Sequence, residues 1–101
     1  MVKCMKLINV YLDDIRTPMN GKVGDTFWVV VRTIEATKTL LEAGVVGNMS
    51  LDHNLGPGET GYDLVKWMEA ENVWPGGSIA VHSGNIVGRE NMMAVLVRNG
   101  R

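Results

Sequence analysis

Apolar residues along this chain of 101 residues gather in short runs that stop on polar or charged side chains, and stretches of helical period separate the runs. Residues 5 to 12 are largely apolar, interrupted at Lys6 and Asn9. A run without strict alternation reads as a strand covered on both faces. Asp13-Asp14 ends it, and Ile15 to Thr26, with Pro18, Gly21, Gly24 and no helical period, reads as a loop. A loop of that length in a small chain is often functional. Phe27 to Arg32 is a second strand, built on Trp28-Val29-Val30-Val31. Thr33 can cap a helix over 34 to 43, where Ile34, Thr37 and Leu41 share a stripe that Leu40 widens, and Gly44 stops it.

Val45 to Asp52 is the third strand, and His53 to Glu59 the loop after it. Thr60-Gly61-Tyr62-Asp63 fits a capping box, and the helix it opens carries Leu64, Val65, Trp67 and Met68 and ends before Trp74-Pro75-Gly76-Gly77. Residues 78 to 82 make a fourth strand. Ser83 to Val87 is a polar turn, and Gly88 to Asn99 a last helix with Met92, Met93, Leu96 and Val97 inward. Alternation of strands with helices predicts right-handed crossovers and a mainly parallel four-stranded sheet, in the order 2-1-3-4. Ligands in such sheets bind outside the carboxyl ends of the strands, at the point where strand order reverses. The first and third strands meet there, so Asp13, Asp14 and Asp52 converge.

Composition narrows the setting. A chain this long reads as one domain over residues 1 to 101, able to bury a core without staples. A net charge of -1 offers no electrostatic footprint for a nucleic-acid backbone or an anionic membrane, so sequence-specific DNA binding is not expected. An anionic substrate must be held by local groups or a metal. Cys4 is the only cysteine, which excludes an internal disulfide and favours a reducing, cytoplasmic setting. No run approaches the roughly 18 apolar residues a membrane span needs, and Lys3 and Lys6 precede no signal-peptide core. Exposed edge strands are compatible with a homodimer.

The candidate chemistry lies at the strand ends. Carboxylates at Asp13, Asp14 and Asp52 suit a hard divalent ion, Mg²⁺ or Mn²⁺, which takes one or two carboxylates plus substrate phosphate. A single strand-terminal Asp would read as a turn former; three at the ends of two central strands point to a metal or phosphate site. His53 and His82, the only histidines, both fall on that edge, and either can act as general acid or base or as a ligand. His82-Ser83-Gly84-Asn85 leads toward a helix start near Gly88, where free N–H groups attract phosphate; plain capping by Ser83 or Asn85 explains the same turn equally well. Arg89 in the first turn opposes the helix dipole, so an anion nearby would give it a partner. Asp63 reads as a cap rather than a catalyst. The methionines read as core filler, and the tryptophans as packing.

The acidic pair after the first strand, Asp52 after the third and Ser83 after the fourth resemble a response-regulator receiver domain. Two departures stand out: the loop 15 to 26 replaces the first crossover helix, and the chain as given stops before a fifth strand could supply the receiver's lysine. A closer resemblance is carried by Leu12-Asp13-Asp14-Ile15-Arg16-Thr17-Pro18, Ser50-Leu51-Asp52-His53-Asn54-Leu55-Gly56, Thr60-Gly61-Tyr62-Asp63 and His82-Ser83-Gly84-Asn85-Ile86-Val87-Gly88. These are similar to the cyclic-phosphate processing receiver domain family, with Asn54 where that pattern has Asp and Ile86 where it has Pro. The resemblance implies a truncated receiver/flavodoxin-like three-layer α/β fold. It also implies a metal-dependent phosphoesterase acting on a cyclic phosphate of a nucleotide or RNA end. Asp13, Asp14 and Asp52 would hold Mg²⁺ or Mn²⁺. His53 or His82 would move a proton, and Ser83, Asn85, Gly88, Arg16 and Arg89 would bind substrate. Asp52 could instead be the nucleophile. Two alternatives stay open: a non-catalytic module binding a cyclic nucleotide or a partner protein, and a phosphoacceptor domain. Such small domains also occur in phages, where action against nucleotide-based defence would fit.

Overall fold

The computed structural model describes residues 7–14, 22–23, 26–55 and 58–101. Strands β1 (Ile8–Leu12), β4 (Val29–Val31), β5 (Val46–Leu51) and β6 (Ile79–Val81) form one parallel sheet in the order β4-β1-β5-β6. This is the expected 2-1-3-4 arrangement. Strands β2 (Lys22–Val23) and β3 (Thr26–Phe27) form a separate antiparallel pair. Helices α1 (Ile34–Glu42), α2 (Gly61–Glu71) and α3 (Ile86–Arg98) complete the described elements. The result is a compact receiver-like α/β fold.

The crossovers β4-α1-β5 and β5-α2-β6 both step the same way across the sheet, so right-handedness puts both helices on one face. α3 packs against α2 and joins them. One core cluster confirms that layer: Val10, Leu12, Val31, Met49 and Leu51 from the strands meet Ile34, Leu41, Leu64, Val65, Met68, Met92, Val95 and Leu96 from the helices. Each such side chain contributes about 1.5–3 kcal/mol by leaving water. Side chains alternate across a strand, so Tyr11, Val30, Ser50 and Ala80, paired in one row, carry the opposite sense from that core. Of the three layers expected, the described residues supply the sheet and one layer of helices. Among them, none of the helices covers the Tyr11 face.

Two boundaries and one helix face differ from the sequence expectation. The apolar run 27 to 32 is split: Phe27 belongs to β3, Val29–Val31 to the main sheet, and Trp28 lies between them. Apolar continuity does not tell which sheet each half of a run joins. The last helix starts at Ile86 rather than Gly88, because the Asn85 side chain caps it by accepting from the Gly88 N–H at 2.9 Å. Its inward stripe is Gly88, Met92, Val95 and Leu96. Met93 and Val97 stay 40% and 68% exposed, so they are not core residues. Elsewhere the local signals operate as read. Thr33 Oγ1 accepts from Ala36 N at 3.2 Å, Gly44 follows α1 with φ +73°, and Thr60 and Asp63 form a reciprocal capping box. No described helix is long and apolar enough to cross a membrane. The 15 to 26 loop expected from sequence lies largely outside the described residues, apart from the β2 and β3 positions.

Candidate functional site

Asp13, Asp52 and His82 each stand one residue beyond a strand of the sheet and still take part in its hydrogen bonding. The N–H of Asp13 donates to the Val31 carbonyl at 3.1 Å, that of Asp52 to Leu12 at 3.0 Å, and that of His82 to Leu51 at 2.9 Å. Because Leu12 pairs with Leu51, and Leu51 with Val81, the next residue of each strand forms a row across β1, β5 and β6. One ligand-type atom from each side chain lies within 4.8 Å of the other two. Asp13 is fully buried and Asp52 2% exposed. Two carboxylates so close in a dry setting need compensating charge or donors. Part of that comes from His82 Nε2, 3.0 Å from Asp13 Oδ2, and from the His53 N–H, which donates to Asp52 Oδ1 at 2.8 Å. Two hard oxygen donors and an imidazole nitrogen are also a fitting donor set for a divalent cation.

The His82 ring is held on three sides. Its Nε2 faces Asp13, its Nδ1 lies 2.7 Å from Ser50 Oγ, and its plane stacks on Tyr11 with centroids 4.2 Å apart and 9° between planes. Arg32, just past β4, donates from Nη1 to the Asp13 carbonyl at 3.1 Å. It also lines an open cavity of about 200 Å³ with Thr33, Ile34, Glu35, Leu55 and Glu59.

His53 occupies the neighbouring loop. Its carbonyl accepts from the Gly61 N–H at 2.9 Å, tying the loop to the start of α2. Its Nδ1 lies 2.9 Å from Asn54 Oδ1, which also accepts from Asn85 Nδ2 at 3.4 Å. An amide oxygen only accepts, so that pairing assigns the His53 ring proton to Nδ1 and leaves the Nε2 lone pair free of that bond. The ring presses on α3 at Gly88, where a Cβ would overlap the imidazole carbons. Gly61 is equally constrained, since a Cβ there would overlap the Asp52 carbonyl oxygen.

The whole arrangement, residues 8–98, matches the family model described as the cyclic-phosphate processing receiver domain. The chain belongs to that family. Neither the comparison with curated proteins nor that with solved structures gave a match.

Against the sequence expectations, this cyclic-phosphate processing receiver domain brings Asp13, Asp52 and His82 into one cluster. Asp14, half-buried in the bend after β1, is not part of it. Ser83 is buried, and its Oγ accepts from the Asn85 N–H at 3.1 Å. Asn85 caps α3, in line with the capping reading of that turn, and its amide also donates to Asn54 next to His53. Gly88 is the third residue of α3 rather than its start, and its N–H is already bonded to Asn85. What it provides is room for His53. Arg89 is exposed on the first turns of α3, and Arg16 lies outside the described residues. Asp63 is a cap, as expected, and the Thr60 N–H it accepts at 2.8 Å holds its carboxyl below the usual range. Tyr11, Ser50, Arg32 and Gly61 escaped the sequence reading. The available signal was parity: Tyr11 and Ser50 are polar positions two residues before Asp13 and Asp52, on the same side of their strands.

Proposed function

We propose that this domain is a metal-dependent phosphoesterase that opens a cyclic phosphate on a nucleotide or an RNA end. The observation that carries the reading is the row Asp13, Asp52 and His82, buried at the carboxyl edge of a family fold whose name links it to cyclic phosphates. Asp13 and Asp52, with Asp14 adjacent, would hold a divalent ion, Mg²⁺ or Mn²⁺, whose charge would polarise a phosphoryl oxygen when bound. The remaining work falls to the chain. His53 Nε2, with its proton placed on the other nitrogen by Asn54, takes a proton from the attacking water. The water oxygen bonds to phosphorus, one ring ester bond breaks, the departing alkoxide takes up a proton from solvent, and His53 returns its own to solvent. Ser83, whose oxygen is engaged by Asn85, keeps its hydroxyl proton to donate to a phosphate oxygen. The open cavity beside the site, lined by Arg32 together with Thr33, Ile34, Glu35, Leu55 and Glu59, has room for the rest of the substrate.

Incubation with Mn²⁺ and a panel of 2′,3′-cyclic and larger cyclic nucleotides, followed by separation of linear products, tests this. Turnover is expected, with loss of at least 100-fold on Asp13→Asn or Asp52→Asn, on the order of what removing a site's charge stabilisation costs. Tight binding of a cyclic nucleotide without any linear product would sink the reaction and favour a binding module. Acetyl-phosphate labelling of Asp52 would favour a phosphoacceptor.

A further inference from the structure

We propose that His82 is a nitrogen ligand of the divalent-ion site, and that Ser50 is the positioning residue that lets its ring adopt the tautomer ligation requires. The inference rests on the reading of this edge as a cation site. It assigns one more ligand, and a supporting hydroxyl, beyond the carboxylates.

The argument starts from the two ring nitrogens. A carboxylate only accepts hydrogen bonds, so in the ion-free pair the proton sits on Nε2, pointing at Asp13 Oδ2 3.0 Å away. In a neutral ring Nδ1 then carries the lone pair and accepts from Ser50 Oγ–H at 2.7 Å. An ion bound at Nε2 needs the lone pair there, so the proton must sit on Nδ1 and find an acceptor. Ser50 serves again, because a hydroxyl both donates and accepts. Between the two states Nε2 gives one proton to solvent and Nδ1 takes one up, so the ring is neutral in both. A backbone carbonyl or an ammonium group in place of Ser50 could support only one of them.

The rest of the surroundings hold the ring still while the proton changes place. Tyr11 stacks on its plane, and Ser50 sits in the middle of the sheet, paired to Tyr11 on one side and Ala80 on the other. Ligating histidines usually have such a partner on the second nitrogen, and losing it costs about 10- to 100-fold in metal affinity. An imidazole in the donor set also shifts preference from Mg²⁺ toward Mn²⁺ or Zn²⁺.

The test uses the full isotope-labelled chain and Zn²⁺ as a diamagnetic probe. The ring nitrogens of His82 are followed by long-range proton-nitrogen spectra, with His53→Gln to separate the two histidines. The expected result is a proton on Nε2 without ion and on Nδ1 at Zn²⁺ saturation. In parallel calorimetry, Ser50→Ala should weaken Zn²⁺ and Mn²⁺ binding by about 10- to 100-fold, while Ser50→Thr, which keeps the hydroxyl, should bind close to the parent. Bound Zn²⁺ with Nε2 still protonated overturns the assignment, as does Ser50→Ala binding as tightly as the parent. These signatures without turnover of any cyclic phosphate would remove the reaction proposed above and leave His82 and Ser50 in place. No binding of either ion overturns both.

Discussion

His82 and His53 stand at the same edge of the sheet, yet they are held by different kinds of partner. His82 is fixed by side chains: Asp13 on one nitrogen, Ser50 on the other, and the Tyr11 ring against its plane. His53 is fixed largely by main chain. Gly61 holds its carbonyl, Gly88 gives its ring a surface to lie on, and among the described residues only Asn54 bonds the ring itself. The first kind of support is lost by deleting polar atoms, the second by adding carbon atoms. It follows that the two histidines can be disturbed separately, and that their roles can be separated by choosing the right class of substitution.

The largest effect is expected at Gly61. A Cβ there would overlap the Asp52 carbonyl oxygen and come within 2.9 Å of the Met92 methyl. The methyl can move, but the carbonyl belongs to the strand end that carries Asp52. Gly61→Ala should therefore lower stability by about 1–3 kcal/mol, the usual range for overpacking, read by denaturant unfolding. An unchanged midpoint would mean that α2 and the Asp52 strand end are not packed as closely as drawn.

Gly88→Ala should do the reverse: little to stability, much to His53. Replacing a glycine inside a helix favours the helix by up to about 1 kcal/mol, which offsets the strain of pushing the imidazole aside. The ring, being a side chain, can swing; its Nδ1 bond to Asn54 would be lost. The expected outcome is a near-parental unfolding midpoint with shifted His53 ring signals and unshifted His82 signals. If both histidines move together, the two supports are one unit and the comparison fails.

The same contrast explains what could be read from residues alone. Strand order, helix positions and the capping box were legible because each rests on local chemistry: apolar runs, a Thr and Asp three apart, a glycine after α1. The convergence of Asp13 and Asp52 was legible too, since it follows from adjacent strands ending on acids. Asp14 follows Asp13 in sequence, but it lies in the bend after β1 and outside the described cluster. Gly88 looked like the start of a helix because glycine and turn residues cluster there; only the tertiary approach of His53 shows why that position is bare. Hydrophobicity alone points Met93 and Val97 inward, since it does not tell which of two apolar stripes faces the core; both are exposed. Ser50 sat inside an apolar run, and its meaning depends on a histidine 32 positions away.

The smallest effect concerns the acid limb of stability, and it bears on His53 through α2. Asp63 has its carboxyl held below its ordinary value of 3.8, chiefly by the Thr60 N–H it accepts, with the Thr60 hydroxyl and Lys66 adding to this. A carboxyl lowered on folding stabilises the folded state fully above its unfolded value, and that contribution is lost as pH falls through the folded value. The cap should thus weaken as pH drops below about 3.8, and with it the α2 start that offers the Gly61 N–H to His53. Because the side chain is 40% exposed and screened by solvent, the difference should stay under about 1 kcal/mol. Glu69, lowered to about 2 chiefly by its hydrogen bond from Arg98, adds to the same limb, so the readout is the difference between parent and Asp63→Asn rather than either curve alone. The parent should lose stability on acidification faster than the variant, with the Gly61 amide losing hydrogen-exchange protection first. Identical acid profiles for the two would separate the cap from the loop it precedes, and would leave the hold on His53 to Gly88 and Asn54.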